Sequence, residues 1–385
     1  MFPYSRQDIN EKDIESVLNV LRSDLITQGQ IIKKFEHDVA EKVNARYSFA
    51  LNSATSALHV SCMALGLTKD DILWTVPNSF VASANCGLYC GATVNFVDIN
   101  PCSFNISIDS LKAKLKIAKI QNCLPKILVT VDFSGQPVEQ EEIRILSKEY
   151  DFYIIEDASH AIGAQRNNNM VGCNKFSDIT IFSFHPVKII TSAEGGMALT
   201  ESKEIAHKID LLRSHGITKN LADYEKKINE HWYYEQQYLG YNYRLSEIHA
   251  ALGLSQLNRL DEFVNYRNNV AKIYNNLLKD LPIQLPHIEV ENYSSFHLYV
   301  IRLKLDKIKK SYNEIFNHLR DSGIGVNLHY IPIHLQPIYK KKGFKLGDFP
   351  EAEKYSCEAI SLPIYFGLKE EDQIYIYKIL KELLL

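Results

Sequence analysis

Apolar positions along this chain fall into short, nearly unbroken runs separated by longer amphipathic stretches. IIKKFEHDVAEKV (31–43) spaces its apolar residues at helical intervals, and YSFALN (47–52) reads as a short strand. SATSALHVSCMALGL (53–67) follows as a helix with Ser and Thr at its start. ILWTVP (72–77), TVNFVDI (93–99), PKILVTVDF (125–133) and FYIIEDA (152–158) are strand-like. Between them, SFVASANCGLYCG (79–91), DSLKAKLKIAKI (109–120) and VEQEEIRILSKEYD (138–151) read as helices. Strands that are apolar along their whole length belong in a parallel sheet covered by helices on both faces. This predicts a doubly wound α/β domain over residues 15–245.

The pattern changes further on. The polar segment LADYEKKINEHWYYEQQYLG (221–240) breaks the alternation, and one long helix is expected to start at LSEIHAALG (245–253). HLYVIRL (297–303) and IGVNLHY (324–330) read as strands flanking the helix SYNEIFNHLRDSG (311–323). A smaller α+β domain is therefore expected over 246–385. Residues 1–30 are polar and end in LITQGQ, which suggests an extended arm. Its first 14 residues are expected to pack near the small domain.

Composition adds limits. The chain has 385 residues, 46% hydrophobic and 23% charged, with a formal net charge of −3. That balance gives no reason to expect nucleic acid or an anionic membrane as partner. No apolar run is long enough to span a bilayer, and MFPYSRQDINEKD lacks the basic start and apolar core of a secretion signal. Seven cysteines lie scattered without framework or metal-knuckle spacing, so reduced thiols, no metal and a cytoplasmic setting are expected.

In open α/β sheets, ligands sit at the carboxyl ends of the strands. Four stretches place chemistry there. LNSATSALH puts Ser53, Ala54 and Thr55 between a strand and a helix, where free N–H groups suit a phosphate, although a plain helix cap explains the same residues. YIIEDASHA delivers Glu156 and Asp157 after an apolar run, where a carboxylate can hold a cationic ring nitrogen or a metal. FSFHPVKIITSAEGGMA (182–198) carries Ser183 and one lysine, Lys188, among small and apolar residues, where an ammonium group loses its charge readily and becomes a nucleophile. LGYNYRLSEIHAALG places Asn242 and Arg244 before a helix. Dinucleotide, P-loop, metalloprotease and nucleophile-elbow motifs are absent.

A phosphate cradle, then an aspartate, then a lysine about 30 residues later is what pyridoxal 5′-phosphate (PLP) requires. The lysine forms the Schiff base, and the aspartate keeps the ring nitrogen protonated. With NSATSALH (52–59), NSFVASAN (78–85), EDASHAIGA (156–164), FSFHPVKIITSAEGGM (182–197), RSHGI (213–217) and GYNYRLSEIHAALGLSQL (240–257), the chain resembles the DegT-type sugar aminotransferases over nearly its whole length. These have the aspartate-aminotransferase fold (fold type I), a large PLP-binding domain and a smaller C-terminal one.

The resemblance implies roles. Lys188 is the Schiff-base lysine, Asp157 the partner of the ring nitrogen, and Phe80 a stacking platform for the ring. Ser53, Ala54, Thr55 and Ser183 meet the phosphate. Asn242 reaches the phosphate of a neighbouring subunit, so the active unit is a homodimer. His160, where many relatives have Gln, lies at the cofactor, and Gln30 stands where Pro is common. A narrower likeness, carried by SSFHLY (294–299) and VNLHYIPIH (326–334), implies a UDP-linked 4-keto sugar as substrate and L-glutamate as amino donor. Tyr4, the arm residues Asp24, Leu25, Ile26 and Thr27, and Asn327, His329 and Tyr330 are expected around that nucleotide sugar. PLP passes through its pyridoxamine form (PMP) between the two substrates.

Overall fold

The computed structural model describes residues 2–226, 228 and 230–385. The helices α1 (Glu11–Leu21) and α2 (Gln30–Val43) lead into β1 (Tyr47–Leu51) and α3 (Ala54–Ala64). Strand and helix then alternate through β2 (Ile72–Thr75), α4 (Ala82–Tyr89), β3 (Thr93–Phe96), α5 (Ile108–Gln121), β4 (Ile127–Val131), α6 (Gln140–Tyr150) and β5 (Tyr153–Asp157). A two-residue ribbon, β6 (Gln165–Arg166) and β7 (Asn169–Met170), precedes β8 (Ile179–Ser183), β9 (Gly196–Thr200) and α7 (Lys203–Leu212). The seven main strands form one sheet in the order β1-β9-β8-β5-β4-β2-β3, in which only β9 runs against its neighbours.

Every residue of β4, β8 and β9 is buried, which is why their sequences show no polar face. One face of the sheet packs on α3 to α6, with Leu73, Val129, Ile143 and Ile154 in that core. The other face packs on α2 through Phe35 and Val39, with Phe182, Phe184 and Met197 beneath.

Past a second short ribbon, β10 (Ile217–Thr218) with β11 (Glu235–Gln236), come α8 (Glu247–Leu257) and α9 (Leu260–Leu278). The single helix expected here is two. The break falls at Asn258–Arg259, where the Arg259 guanidinium bonds Asp8 at 2.6 Å and Asp13 at 2.8 Å. The expected boundary near residue 245 lies ahead of α8, whose Ala250 and Leu257 share a core with Phe35 and Phe184. The change of core occurs inside α9, between Val264 and Val270.

The remainder contains β12 (Ile283–Gln284), β13 (Asn292–Tyr293), β14 (Tyr299–Leu303), α10 (Tyr312–Asp321), α11 (Pro337–Lys340), α12 (Pro350–Glu358), β15 (Ala359–Leu362) and α13 (Glu370–Leu384). Strands β12, β14 and β15 make a small antiparallel sheet. The strand expected over 324–330 is reduced to isolated bridges, Phe2 with Ile324 and Asn327 with Ser361. Its polar residues Asn327 and His329 turn instead to Ser361 and to each other.

The N-terminal thirty residues also differ from a plain extended arm. Residues 2–4 do lie extended on the small sheet's region, Phe2 bonding Gly323 and Tyr4 accepting from Ile364. Residues 11–21, however, form α1, started by a capping box between Asn10 and Asp13. Only Asp13 and Val20 of this helix are buried, and Asp13 is held by Gln256 at 2.7 Å and by Arg259. Its apolar residues Ile14, Val17, Leu18 and Leu21 stand at helical spacing, but that face stays largely exposed, and the helix is fastened by ions and amides instead.

Beneath the sheet lies a pair of buried carboxyl groups. Glu156 accepts from Thr180 Oγ1 at 2.7 Å and from Ser177 Oγ at 3.2 Å. Asp132 accepts from the Val138 N–H at 3.0 Å. Burial pushes Glu156 up from its usual range, and burial together with the Glu156 charge pushes Asp132 well up. Raised carboxyl values mean that the native state holds protons more tightly than the unfolded chain. Their contribution to stability is therefore full at low pH and lost as pH rises through the native values. Glu156→Gln is expected to flatten this fall, gaining on the order of 1 kcal/mol over the native protein between pH 5 and pH 8. Urea unfolding of both proteins across that range checks it; a difference that does not change with pH contradicts it.

Candidate active site

The carboxyl ends of β1, β2, β4, β5 and β8 and the start of β9 all open on one edge of the sheet. There they enclose a cavity of about 410 Å³, closed on its outer side by Tyr4 and the 327–330 segment.

Lys188 lies on its floor. The segment after β8 turns back at once: the Lys188 N–H bonds the His185 carbonyl at 2.9 Å, and the Ser192 N–H bonds the Phe184 carbonyl at 3.0 Å. Ile189 and Ile190 point into the core and anchor the turn. The lysine is half-buried, and its amine is brought down to about 8, because burial penalises the charged form more than the nearby Asp157 favours it. His185, adjoining Pro186, supplies the carbonyl that closes the turn and itself lines the cavity.

Asp157 ends β5. Residues along a strand alternate in direction, so Glu156 serves the buried pair behind the sheet while Asp157 faces the cavity. Ser159 donates to one Asp157 oxygen from its hydroxyl at 2.6 Å and its N–H at 3.2 Å. Ser83 Oγ, on α4, donates to the other at 2.6 Å and is itself paired with Ser79 Oγ at 2.7 Å. Three hydrogen bonds hold this carboxylate in one orientation.

The N-terminus of α3 forms the third wall. Ser53 is a true N-cap, accepting from the Ser56 N–H at 3.1 Å. The cap leaves the first turn able to take an anion as well, since the N–H groups of Ala54 and Thr55 have no acceptor within the helix. Gly196 comes so close that a Cβ there would run into the backbone of Ser53 and Ala54. Ser183 also lines this end.

Phe80 lines the cavity and is 58% exposed, which leaves its ring open to a ligand. Both nitrogens of His160 are engaged by the protein, one by the Ser134 N–H and the other at the Tyr330 hydroxyl, each at 3.2 Å. His329 Nδ1 pairs with Ser361 Oγ at 2.8 Å, and burial with the Lys188 charge brings it down to about 3. Tyr4, Asn327 and Tyr330 complete the lining, as expected from the sequence.

The four arm residues expected around the substrate are not in this cavity, and neither is Asn242, which was expected at a neighbouring subunit. Asn242 lies in a bridge with Ser214, and Thr27 in a bridge with Ser246. Asp24, Leu25 and Ile26 are exposed. Sequence reasoning in turn missed Ser79, Ser83 and Ser159, which orient Asp157. The only available signal was their hydroxyls among the small residues of SFVASAN and EDASHA.

A lysine amine of lowered basicity, a fixed aspartate and an unfilled helix N-terminus around one cavity fit an aldehyde, a cationic ring nitrogen and a phosphate in turn. With this sheet, they define a fold type I PLP-dependent transferase. The sequence profile of the DegT/DnrJ/EryC1/StrS aminotransferase family matches residues 7–381. The UDP-4-amino-4,6-dideoxy-N-acetyl-beta-L-altrosamine transaminase of Campylobacter jejuni is 37% identical, covering 98% of this chain and 96% of that protein. The solved Helicobacter pylori PseC, an aminotransferase involved in the biosynthesis of pseudaminic acid, superposes with TM-score 0.91 at 33% identity, over 100% of this chain and 99% of PseC. Streptococcus pneumoniae Spr1654 in its PMP form gives TM-score 0.90 at 27% identity, over 100% and 99%. The chain belongs to the DegT/DnrJ/EryC1/StrS aminotransferase family and is a PLP-dependent sugar aminotransferase.

Ser83→Ala removes one of the two hydroxyls on Asp157 without touching the cavity wall. It is expected to weaken PLP about tenfold, the worth of one charge-assisted hydrogen bond. Fluorescence titration of the apoprotein with PLP measures this, and an unchanged affinity means that Ser159 alone orients the carboxylate.

Proposed function

We propose that this enzyme moves the amino group of L-glutamate to the 4-keto group of a UDP-linked 2-acetamido-2,6-dideoxy-L-arabino-hexos-4-ulose. The product is UDP-4-amino-4,6-dideoxy-N-acetyl-β-L-altrosamine, and the pathway is that of pseudaminic acid. The observation that carries this reading is the near-full-length likeness to the Campylobacter transaminase of that name, together with the fold match to PseC.

Bound PLP supplies an electron sink that stabilises negative charge at a substrate carbon. The protein's part is binding and proton handling. Lys188 would hold the cofactor through its aldehyde, and its free amine would take the proton from the α-carbon of glutamate. It later returns a proton to C4 of the sugar. An amine near 8 exchanges protons in both directions at neutral pH, which general acid–base catalysis requires. Asp157 would keep the ring nitrogen protonated, and the α3 N-terminus with Ser183 would hold the phosphate. Phe80 supports the ring. His160 belongs to the cofactor end, and Tyr4, Asn327, His329 and Tyr330 form the sugar's side of the cavity.

We place Asn242 and the arm Asp24–Thr27 at the site of a second copy in a homodimer. Both lie outside their own chain's cavity. Apolar surface is exposed beside each: Leu25 is 57% exposed and Leu239 is 78% exposed. No helix among the described residues is long and apolar enough to cross a membrane. All seven cysteines are free.

The decisive experiment offers the PLP-loaded enzyme and glutamate the UDP-linked L-arabino keto sugar, with NMR of the product. Formation of the 4-amino-L-altro product is expected. Turnover only of a D-configured UDP- or dTDP-4-keto sugar moves the assignment to another sugar within the family. Retained PLP without turnover of any keto sugar points to a non-catalytic protein on this fold. Separately, capture of PLP by the apoprotein is expected to quicken as pH rises through about 8, because only the neutral amine attacks an aldehyde. Stopped-flow absorbance measures it, and Lys188→Ala should abolish covalent capture.

A further inference from the structure

The first turn of α2 has no cap of its own. Gly29 stands at the N-cap without a side chain to offer, and no acidic residue lies in that turn. A carboxylate from a distant part of the chain fills the place: Glu247, the first residue of α8. One of its oxygens accepts the N–H groups of Gly29 at 2.9 Å and Ile32 at 3.2 Å, and the other accepts that of Ile31 at 2.8 Å. Glu247 is 2% exposed, so its loss leaves those N–H groups without an acceptor in a place that water does not reach. It also begins its own helix, so one negative charge meets two positive helix ends. Position 29 is fitted to it: a Cβ there would lie 2.9 Å from the carboxylate.

The chain just ahead of this turn is bare. Residues 21–28 are all exposed, among them Leu21, Leu25 and Ile26. Yet their backbone is fixed. The Ile26 carbonyl accepts the Glu247 N–H at 3.1 Å, Thr27 bridges Ser246, and Gln28 is set at a left-handed φ of 56°. Residues 242–247 therefore carry Asn242 at one end and grip the arm at the other. Their middle is tied to the rim of the large sheet, with Arg244 bridging Leu51 and the Tyr243 carbonyl accepting the Asn52 N–H at 2.8 Å. A rigid backbone that presents three bare apolar side chains is the form of a contact surface, and it stands outside its own chain's cavity.

We propose that Glu247 is a positioning residue that acts across the dimer: its carboxylate holds Asp24–Gln28 in the one conformation that completes the keto-sugar side of a second copy's cavity. This rests on the homodimer and keto-sugar reading above. Glu247 itself touches neither cofactor nor sugar. It sets the arm by capping the helix behind it, so its loss is felt in the other copy's site and not in the cavity of its own chain.

The test uses PLP-loaded dimers, including a hybrid made by co-expressing two differently tagged chains. The Glu247→Ala homodimer is expected to raise KM for the keto sugar about tenfold, with the glutamate half-reaction changed less than about threefold. Gly29→Ala, which displaces the carboxylate, should act in the same direction, and Glu247→Gln, which keeps one acceptor oxygen, should lie between. In the hybrid of Glu247→Ala with Lys188→Ala, the one working lysine belongs to the Glu247→Ala chain, while the arm beside it comes from the chain whose Glu247 is intact. Wild-type KM at about half the wild-type rate is expected, as one of two equivalent sites is restored. A hybrid that keeps the raised KM puts the effect of Glu247 within its own chain and overturns the proposal. An unchanged KM in the Glu247→Ala homodimer, or an active enzyme that is monomeric, overturns it too. If Glu247→Ala fails to fold, Glu247→Gln takes its place in the hybrid. Wild-type enzyme inert toward every keto sugar strikes the reading of function instead. Hydrogen exchange over residues 24–32 of the dimer then judges Glu247: faster exchange in Glu247→Gln supports its hold on the arm, and equal exchange overturns it.

Discussion

A lysine amine serves as a nucleophile only where water is withheld from it, and most of this fold is arranged around that condition. The carboxyl edge of the parallel sheet is a natural crevice. The small domain and residues 2–5 cover it from outside. The resulting setting lowers the affinity of Lys188 for its proton, yet Asp157 stands near enough to limit the effect. Ser5 Oγ bonds the carbonyl of Val187, the residue before the lysine, at 2.9 Å. Buried Arg267 reaches that same hydroxyl at 3.4 Å and also bonds the carbonyls of Phe296, His297 and Ile364. Arm, lysine loop and small domain thus meet at one buried guanidinium.

The carboxylates show how one strand serves two purposes. Glu156 and Asp157 are neighbours in sequence but face opposite sides of β5. Behind the sheet, burial raises both Glu156 and Asp132, and Asp132 accepts the Val138 N–H that fixes the loop after β4. In front, three donors hold Asp157 toward the cavity. The loop that Asp132 fixes carries Ser134, whose N–H in turn sets the tautomer of His160. Rigid backbone behind the sheet is therefore what orients polar groups in front of it.

Much of this was legible along the chain. The alternation of apolar runs and amphipathic helices named the fold class. The order of Ser53–Thr55, Asp157 and Lys188 named the cofactor, because each lies where a strand hands the chain to a loop. The structure brings these residues to one cavity with Phe80, Ser183 and the 327–330 segment. Helix α1 was missed although Ile14, Val17, Leu18 and Leu21 keep helical spacing; that face stays largely exposed in the single chain, and Asp13 and Arg259 fasten the helix instead. The division of α8 from α9 was hidden for a related reason: both halves keep helical spacing, and only the pull of Asp8 and Asp13 on Arg259 marks the joint.

What the sequence determined by itself was local or periodic: which segments are strands and helices, which ends are capped, and which residue types stand at strand ends. Tertiary structure decided direction and partnership. Ser79, Ser83 and Ser159 are ordinary small residues until α4 and the turn after β5 bring their hydroxyls onto Asp157. Asp24–Thr27 lie away from their own chain's cavity, which the spacing of residues along the arm did not reveal. The reason is physical: periodicity records which face of an element is buried, while a hydrogen bond between residues 74 apart, as from Ser83 to Asp157, exists only once the sheet has set the distance between them.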